Sequence, residues 1–288
     1  MTVDVLGAYW TTAGPVEIGT GREWSLFDWP QRCAAAAAAG LRGLGLWHTD
    51  LAHLLETSSL AEIGAVFADN GLAHLELEFL DDWFVGPDHP GHAAFVERRR
   101  MLFGAAAALG VHHVKVGNLG RSSASLSQLT DAFGVLCAEA ADEHDALLTY
   151  ELMPFDINTR SLADVLTILD GADAPNGGIA IDTWHLGKMA ITPDDLRAIA
   201  PRHLSYVELS DGPYANRADL TEETTRYRLL PGDGEFPIPE YVRVLAELGY
   251  RGPWGVEVLS DALRAQPIAE MYGRTVASAL AQFEGAAL

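Results

Sequence analysis

The chain has 288 residues, 49% of them hydrophobic, with 19 Lys and Arg against 40 Asp and Glu, a formal charge of −21. That length fits one large domain or two small ones, and the apolar share is ample for a core. The acidic balance argues against nucleic acid and anionic membranes as partners, because phosphate neutralisation needs basic side chains.

Cys33 and Cys137 are the only cysteines and fall in expected helices, which makes no disulfide framework. The segment Met1–Ala8 lacks a basic region followed by an apolar one, so no secretory leader is expected. No apolar run is long enough to span a bilayer. The chain reads as soluble and cytoplasmic.

Eight strand-like apolar runs alternate with helical patterns, over residues 3–8, 41–47, 73–79, 111–116, 146–151, 178–182, 203–208 and 254–258. A spacing of one βα unit each argues for a parallel sheet. Eight such units favour a closed (β/α)8 TIM barrel, a single domain over 1–288, above an open doubly wound sheet. A long loop, Thr11–Glu23, follows the first run. The alanine run 34–39 reads as helix, closed by Gly40, and Gly71, Gly110 and Gly249 read as similar C-terminal caps. Ser127, Ser161 and Thr192-Pro193 read as helix starts. The glycines of the second run, 41–47, would thin the barrel interior or let a ligand approach.

Alternation along each run separates side chains that face the helices from those that face the interior. On the third run Leu75, Leu77 and Phe79 face the helices and Glu76 and Glu78 turn inward. On the fourth, Val114 and Val116 leave Lys115 inward; the only other lysine is Lys188. His112 and His113 are adjacent and expected to face opposite ways. Glu151 on the fifth run, Asp182 on the sixth and Glu257 on the eighth are likewise inward. The seventh is ambiguous, since Leu204 and Tyr206 share the parity of Glu208. Glu151, Asp182, Glu208 and Glu257 thus end four successive strands at the face where barrels of this kind keep their sites. Carboxylates cannot share a buried site without a cation or a proton. For an oxygen-rich site the natural cation is a divalent metal. Trp47, His48, Trp83 and Trp184 are candidate walls, with plain core packing as the competing reading. A second long loop, Asp211–Pro239, carries Arg226, Arg228 and the Pro231-Gly-Asp-Gly234 turn, and its length points to a lid.

Three stretches then stand out together: Tyr150-Glu151; Ile181-Asp-Thr-Trp-His185; and Arg228-Leu-Leu-Pro-Gly-Asp-Gly234, leading through Ala246-Glu-Leu-Gly-Tyr250 to Gly255-Val-Glu257. In combination they resemble the xylose isomerase-like TIM barrel family, in its sugar phosphate isomerase/epimerase branch. The resemblance implies one divalent ion, often manganese, held by Glu, Asp, His and Glu from four consecutive strands. It assigns Glu151, Asp182 and Glu257 to that set, with Glu208 standing where many relatives have His. An all-carboxylate set favours Mn2+, then Mg2+, over Zn2+. Lys115 and Arg228 would offset the excess negative charge.

The implied chemistry is proton abstraction next to a carbonyl, through an enediolate, with Glu151 and Glu257 as base and acid on opposite faces of the substrate. His185 would bind a substrate oxygen or, alternatively, orient Asp182. Arg228 would bind substrate, or form a lid salt bridge with Asp233 or Glu235. Lys115 would donate to a substrate oxygen, or pair with Glu78 or Glu151. The expected substrate is a small sugar, keto-polyol or related acid, turned over by an isomerase or epimerase. A lyase of the same family (inosose or 3-dehydroshikimate dehydratase type, or keto-glycoside β-elimination) is the alternative. A partner-dependent, non-catalytic barrel is the third reading, and homodimers are common among such barrels.

Overall fold

The computed structural model of the chain describes residues 3–119 and 122–284. Met1 and Thr2, the start of the segment read for a leader, fall outside them. Eight strands form: β1 (Val5–Gly7), β2 (Gly43–Trp47), β3 (His74–Leu80), β4 (His113–Val116), β5 (Leu147–Glu151), β6 (Gly177–Asp182), β7 (Leu204–Leu209) and β8 (Trp254–Val256). They close in chain order into one parallel barrel with β8 beside β1, surrounded by helices in a single (β/α)8 domain. Glu257 lies one residue past β8. Its N–H still donates to Leu209 O at 3.1 Å, so the carboxylate is carried by the barrel wall.

Alternation sorts the side chains much as expected. Leu75, Leu77, Val114, Ile179 and Val256 join one apolar core between strands and helices. Glu76, Glu78, Lys115, Glu151, Asp182 and Glu208 are buried polar groups. Two strands depart from the simple pattern. On β7, Tyr206 turns inward to cluster with Leu6 and Ala180, leaving Val207 and Leu209 to the core. On β3 the register shifts between Leu77 and Leu80. Leu80 takes the core position, and Phe79, expected to face the helices, lines the site pocket instead.

Two glycines make room for the interior charges. Gly45 pairs in register with Glu76 and Gly255 with Glu208. A Cβ at Gly45 would stand 2.5 Å from Glu76 Oε1, and one at Gly255 would stand 2.9 Å from Glu208 Cγ. At both positions a side chain of the neighbouring strand fills the space a Cβ would need.

Helix punctuation differs in one place. Ser125, rather than Ser127, caps the helix Leu126–Glu143, in a capping box with Gln128. Ser161 caps Leu162–Ala172 as expected, and Thr192 Oγ1 accepts from Asp195 N at the head of a 3-10 turn. The alanine run lies in the helix Trp29–Ala39, which Gly40 ends at φ 92°. Cys33 and Cys137 are free and buried. No described helix is long and apolar enough to cross a membrane.

At the N-terminal end of the barrel, His112 and His113 do not diverge; their Nδ1 atoms are 2.9 Å apart. Burial, then the charge of His113, pushes His112 down to about 3. Burial and then Arg98 push His48 down to about 3 as well. These folded-state values lie below the unfolded value of about 6.5. The unfolded chain therefore binds extra protons as soon as the pH falls through that value, and stability is lost from there downward. The urea midpoint should accordingly drop between pH 7 and pH 5, before most carboxylates titrate. A midpoint constant across that window would contradict the burial of these two rings.

Candidate metal centre and active site

A cavity of about 400 Å³ opens at the C-terminal ends of the strands. Both long loops wall it, the first through Ile18, Gly19, Gly21 and Glu23, the second through Thr224, Thr225 and Arg228. Glu23 holds the first loop in shape, its Oε1 accepting from Thr20 N at 2.8 Å and Gly21 N at 3.0 Å. Trp47 packs between Trp10, at 4.8 Å between centroids, and Phe79, at 6.0 Å. Trp47 and His48 line the cavity as expected, but Trp83 and Trp184 do not. Trp83 is core, its indole N–H donating to Gly117 O. Trp184 is also core and carries the Arg228 guanidinium on its face, Cζ to centroid 4.7 Å.

Four side chains meet at the cavity floor. Glu151 ends β5, Asp182 ends β6, His185 follows in the helix Thr183–Lys188, and Glu257 comes from beyond β8. Asp182 does two jobs: Oδ1 caps that helix by accepting from Trp184 N at 2.8 Å, and Oδ2 faces the site. The cap fixes the helix start, which brings His185 back over the strand ends. One ligand atom from each of the four lies within 4.8 Å of every other. His185 Nε2 is 3.2 Å from Glu151 Oε1 and 3.4 Å from Asp182 Oδ2. The three carboxylates, each at most 4% exposed, repel one another unless cations offset their charge, and His185 adds a nitrogen beside Glu151 and Asp182. The oxygen-rich donor set with one nitrogen fits a divalent metal.

Two basic residues hold this charge. Arg228 Nη1 donates to Asp182 Oδ2 at 2.6 Å and Glu257 Oε2 at 3.1 Å, while Nε and Nη2 are tied to Thr224. Its ion pairs are thus with the floor of the site and not with Asp233 or Glu235. Lys115 Nζ lies 2.8 Å from Glu257 Oε1 and 3.1 Å from Glu78 Oε2. It also donates to both oxygens of Glu208, at 3.0 and 2.9 Å. Burial pulls the Lys115 ammonium down, but Glu151, Glu208, Glu257 and Glu78 together lift it well above its ordinary value. Burial pushes Glu208 and Glu78 up, against the pull of Lys115.

This arrangement changes two of the sequence expectations. Glu208 is not among the four residues whose ligand atoms converge within 4.8 Å, and His185 is the fourth member; both oxygens of Glu208 accept from Lys115. Lys115 is fully buried and does not line the cavity, so the ion-pair reading, with Glu78, describes it. Glu151, Asp182 and Glu257 come together as expected.

One organising residue escaped the sequence reading. Asp211 sits two residues past β7 and is fully buried. Its Oδ1 accepts from Gly212 N at 2.8 Å and Phe236 N at 3.1 Å. Its Oδ2 accepts from Gly232 N at 2.9 Å and Gly234 N at 3.0 Å. The Gly-Asp-Gly turn is therefore wrapped round a carboxylate, close enough that a Cβ at Gly234 would stand 2.6 Å from Asp211 Cγ. Burial pushes the Asp211 carboxyl up and the four N–H donors hold it back. The backbone of Asp211 also exchanges two hydrogen bonds with Leu229, each 2.9 Å, next to Arg228. The only trace of this in the sequence is an Asp just after a strand end, followed by a glycine-rich turn.

Comparison with known proteins agrees with the fold. A family model described as a xylose isomerase-like TIM barrel matches residues 33–278. Two curated proteins named 3-dehydroshikimate dehydratase, from Pseudomonas putida and Pseudomonas aeruginosa, are 26% identical over 239 and 240 residues, 83% of this chain. The chain spans 37% of their length. Among solved structures, the IOLI protein with a binding zinc atom superposes at a TM-score of 0.78 with 15% identity, over 99% of both chains. D-allulose 3-epimerase from Methylomonas sp., in complex with D-allulose, superposes at 0.68 with 17% identity, over 97% of both. At these identities the likeness to the two solved structures is one of fold.

Proposed function

The chain belongs to the xylose isomerase-like TIM barrel family, and from that premise we propose that it moves a proton at the carbon next to a carbonyl, as an isomerase or epimerase of a small hydroxylated substrate. The observation that carries this reading is the meeting of Glu151 and Glu257, from β5 and from beyond β8, in one four-residue group within 4.8 Å. Glu151, Asp182, His185 and Glu257 would hold one divalent cation, Mn2+ first and Mg2+ second. When bound, that cation would supply Lewis-acid stabilisation of negative charge developing on a substrate oxygen.

The side chains do the rest. Glu151 takes the proton from carbon and Glu257 returns one to the opposite face, which is what inversion at a stereocentre requires. His185 stands against Glu151 and Asp182 and keeps both carboxylates aimed at the cavity. Arg228 spreads one positive charge over Asp182 and Glu257 and presents its edge to the cavity. Trp47 and Phe79 offer an apolar wall for the C–H face of a ring and keep water from the reacting carbon. A cavity of about 400 Å³ accommodates a monosaccharide or a keto acid of similar size.

A specific observation favours a second outcome of the same first step: the sequence relatives are named as dehydratases. With a hydroxyl β to the carbanion, expulsion of water replaces reprotonation. Proton NMR in D2O separates the two. The protein, supplied with Mn2+, is given D-allulose and, separately, 3-dehydroshikimate. Deuterium entering next to the carbonyl with formation of an epimer supports the first reading. Loss of water from 3-dehydroshikimate, leaving an aromatic dihydroxy acid, supports the second. Neither exchange nor turnover of either compound would count against both.

A further inference from the structure

Lys115 is unusual in facing three carboxylates, of which only Glu257 belongs to the four-residue group. The ammonium is fully buried on β4 and lies 2.8 Å from Glu257 Oε1, 3.1 Å from Glu78 Oε2, and 2.9 Å from Glu208 Oε2. Glu208 pairs in register with Asp182 across β6 and β7, and with Gly255, which has no side chain to obstruct it. Its carboxylate is therefore adjacent to the group, yet both of its oxygens are taken up by Lys115. The same ammonium fixes the orientation of Glu257.

We propose that Lys115 is a positioning residue for the cation site: it fixes Glu257 and withholds Glu208, so that the Lys115–Glu208 pair sets how tightly the site holds a divalent cation. The inference rests on the cation reading above. Its physical basis is charge at short range in a dry interior, where effective screening is weak. Without Lys115, Glu208 adds one negative charge and one free donor beside the group, and a dication binds more tightly. Without the Glu208 charge, the Lys115 ammonium is left facing Glu257 and opposes the dication. Removing both takes away a neutral pair and leaves the site near its starting affinity.

The test is titration of the full chain with Mn2+, following free Mn2+ by electron paramagnetic resonance, with no substrate present. Lys115→Met should bind at least about tenfold more tightly than wild type and Glu208→Gln at least about tenfold more weakly. The double variant should lie within about threefold of wild type. Lys115→Arg, which keeps the charge, should also stay near wild type. Added Mn2+ should raise the Tm of Lys115→Met more than that of wild type. Unchanged or weaker binding by Lys115→Met overturns the proposal, and so does a double variant as weak as Glu208→Gln, which would make Glu208 an ordinary ligand. Should Lys115→Met alone fail to fold, the double variant, which removes a neutral pair, carries the test with Glu208→Gln: a double variant as weak as Glu208→Gln, or wild-type affinity in Glu208→Gln, overturns the proposal. A wild type whose Mn2+ binding is absent, or insensitive to Asp182→Asn, sinks the cation reading itself and this inference with it.

Discussion

Glu151→Gln and Glu257→Gln should each slow exchange of the substrate's carbon-bound proton with D2O by about a thousandfold, with the fold intact. The substitution keeps the volume and one acceptor oxygen, and removes the basic oxygen the mechanism needs. Structural cost should be small at 151, where a negative charge leaves a crowded group, and larger at 257, where the carboxylate faces the buried cations Lys115 and Arg228. At position 151 the new amide keeps His185 as its neighbour, now 3.2 Å from the Glu151 carboxylate. At position 257 the new amide retains one oxygen for Lys115 or Arg228, which contact the Glu257 carboxylate at 2.8 and 3.1 Å. The exchange must be measured at saturating Mn2+, since either change also removes a proposed ligand. Asp182→Asn is the control: it should weaken cation binding, and its exchange rate should recover more fully when Mn2+ is raised. Exchange surviving in both glutamine variants at saturating metal would refute the acid–base assignment. Exchange lost in only one, with the other still active, would point to a single base serving one face, which suits elimination better than epimerisation.

Much of this site was legible in the chain because two simple rules overlap. Period-two alternation puts Glu151, Asp182 and Glu257 inside the barrel, and βα order puts them at one end of it. The rules fail where their premises do. Alternation assumes an unbroken strand, and the shift between Leu77 and Leu80 turns Phe79 from core to cavity. On the seventh strand alternation is ambiguous for Glu208, because inward-facing Tyr206 shares its parity, and it says nothing of what Glu208 meets. Its partner Lys115 lies three strands away round the barrel, a pairing no local pattern encodes. His185 is on a helix, so strand parity is silent about it; the i,i+3 spacing from Asp182 held the clue. Asp211 was invisible for a different reason. Its four partners are backbone N–H groups, which have no residue signature beyond the glycines that let them approach.

That last residue should dominate the stability of the second long loop. Asp211→Ala strips four backbone donors of their acceptor: the carboxylate is fully buried, while Gly232 and Gly234 lie at the surface and admit water to part of the vacated space. A hydrogen bond to a charged group is worth roughly 1.5–3 kcal/mol, and a buried donor left unpaired costs a similar amount. Local relaxation recovers part of the loss, so a net destabilisation of about 3 kcal/mol is expected. It should appear first as local opening. The amides of Gly232, Gly234 and Phe236 should lose hydrogen-exchange protection while those of the β-strands keep theirs. Function should follow, because Leu229 bonds to Asp211 in both directions and adjoins Arg228, whose guanidinium neutralises Asp182 and Glu257. With the turn loosened, that charge is no longer held on the floor of the site, and turnover should fall even though no group near the reacting carbon has changed. Asp211→Asn separates the contributions: one oxygen still accepts, the amide meets the remaining N–H pair as donor against donor, and the loss should be intermediate. Native protection of the three amides in Asp211→Ala would show that the turn stands without its carboxylate, and that its glycines serve the chain alone.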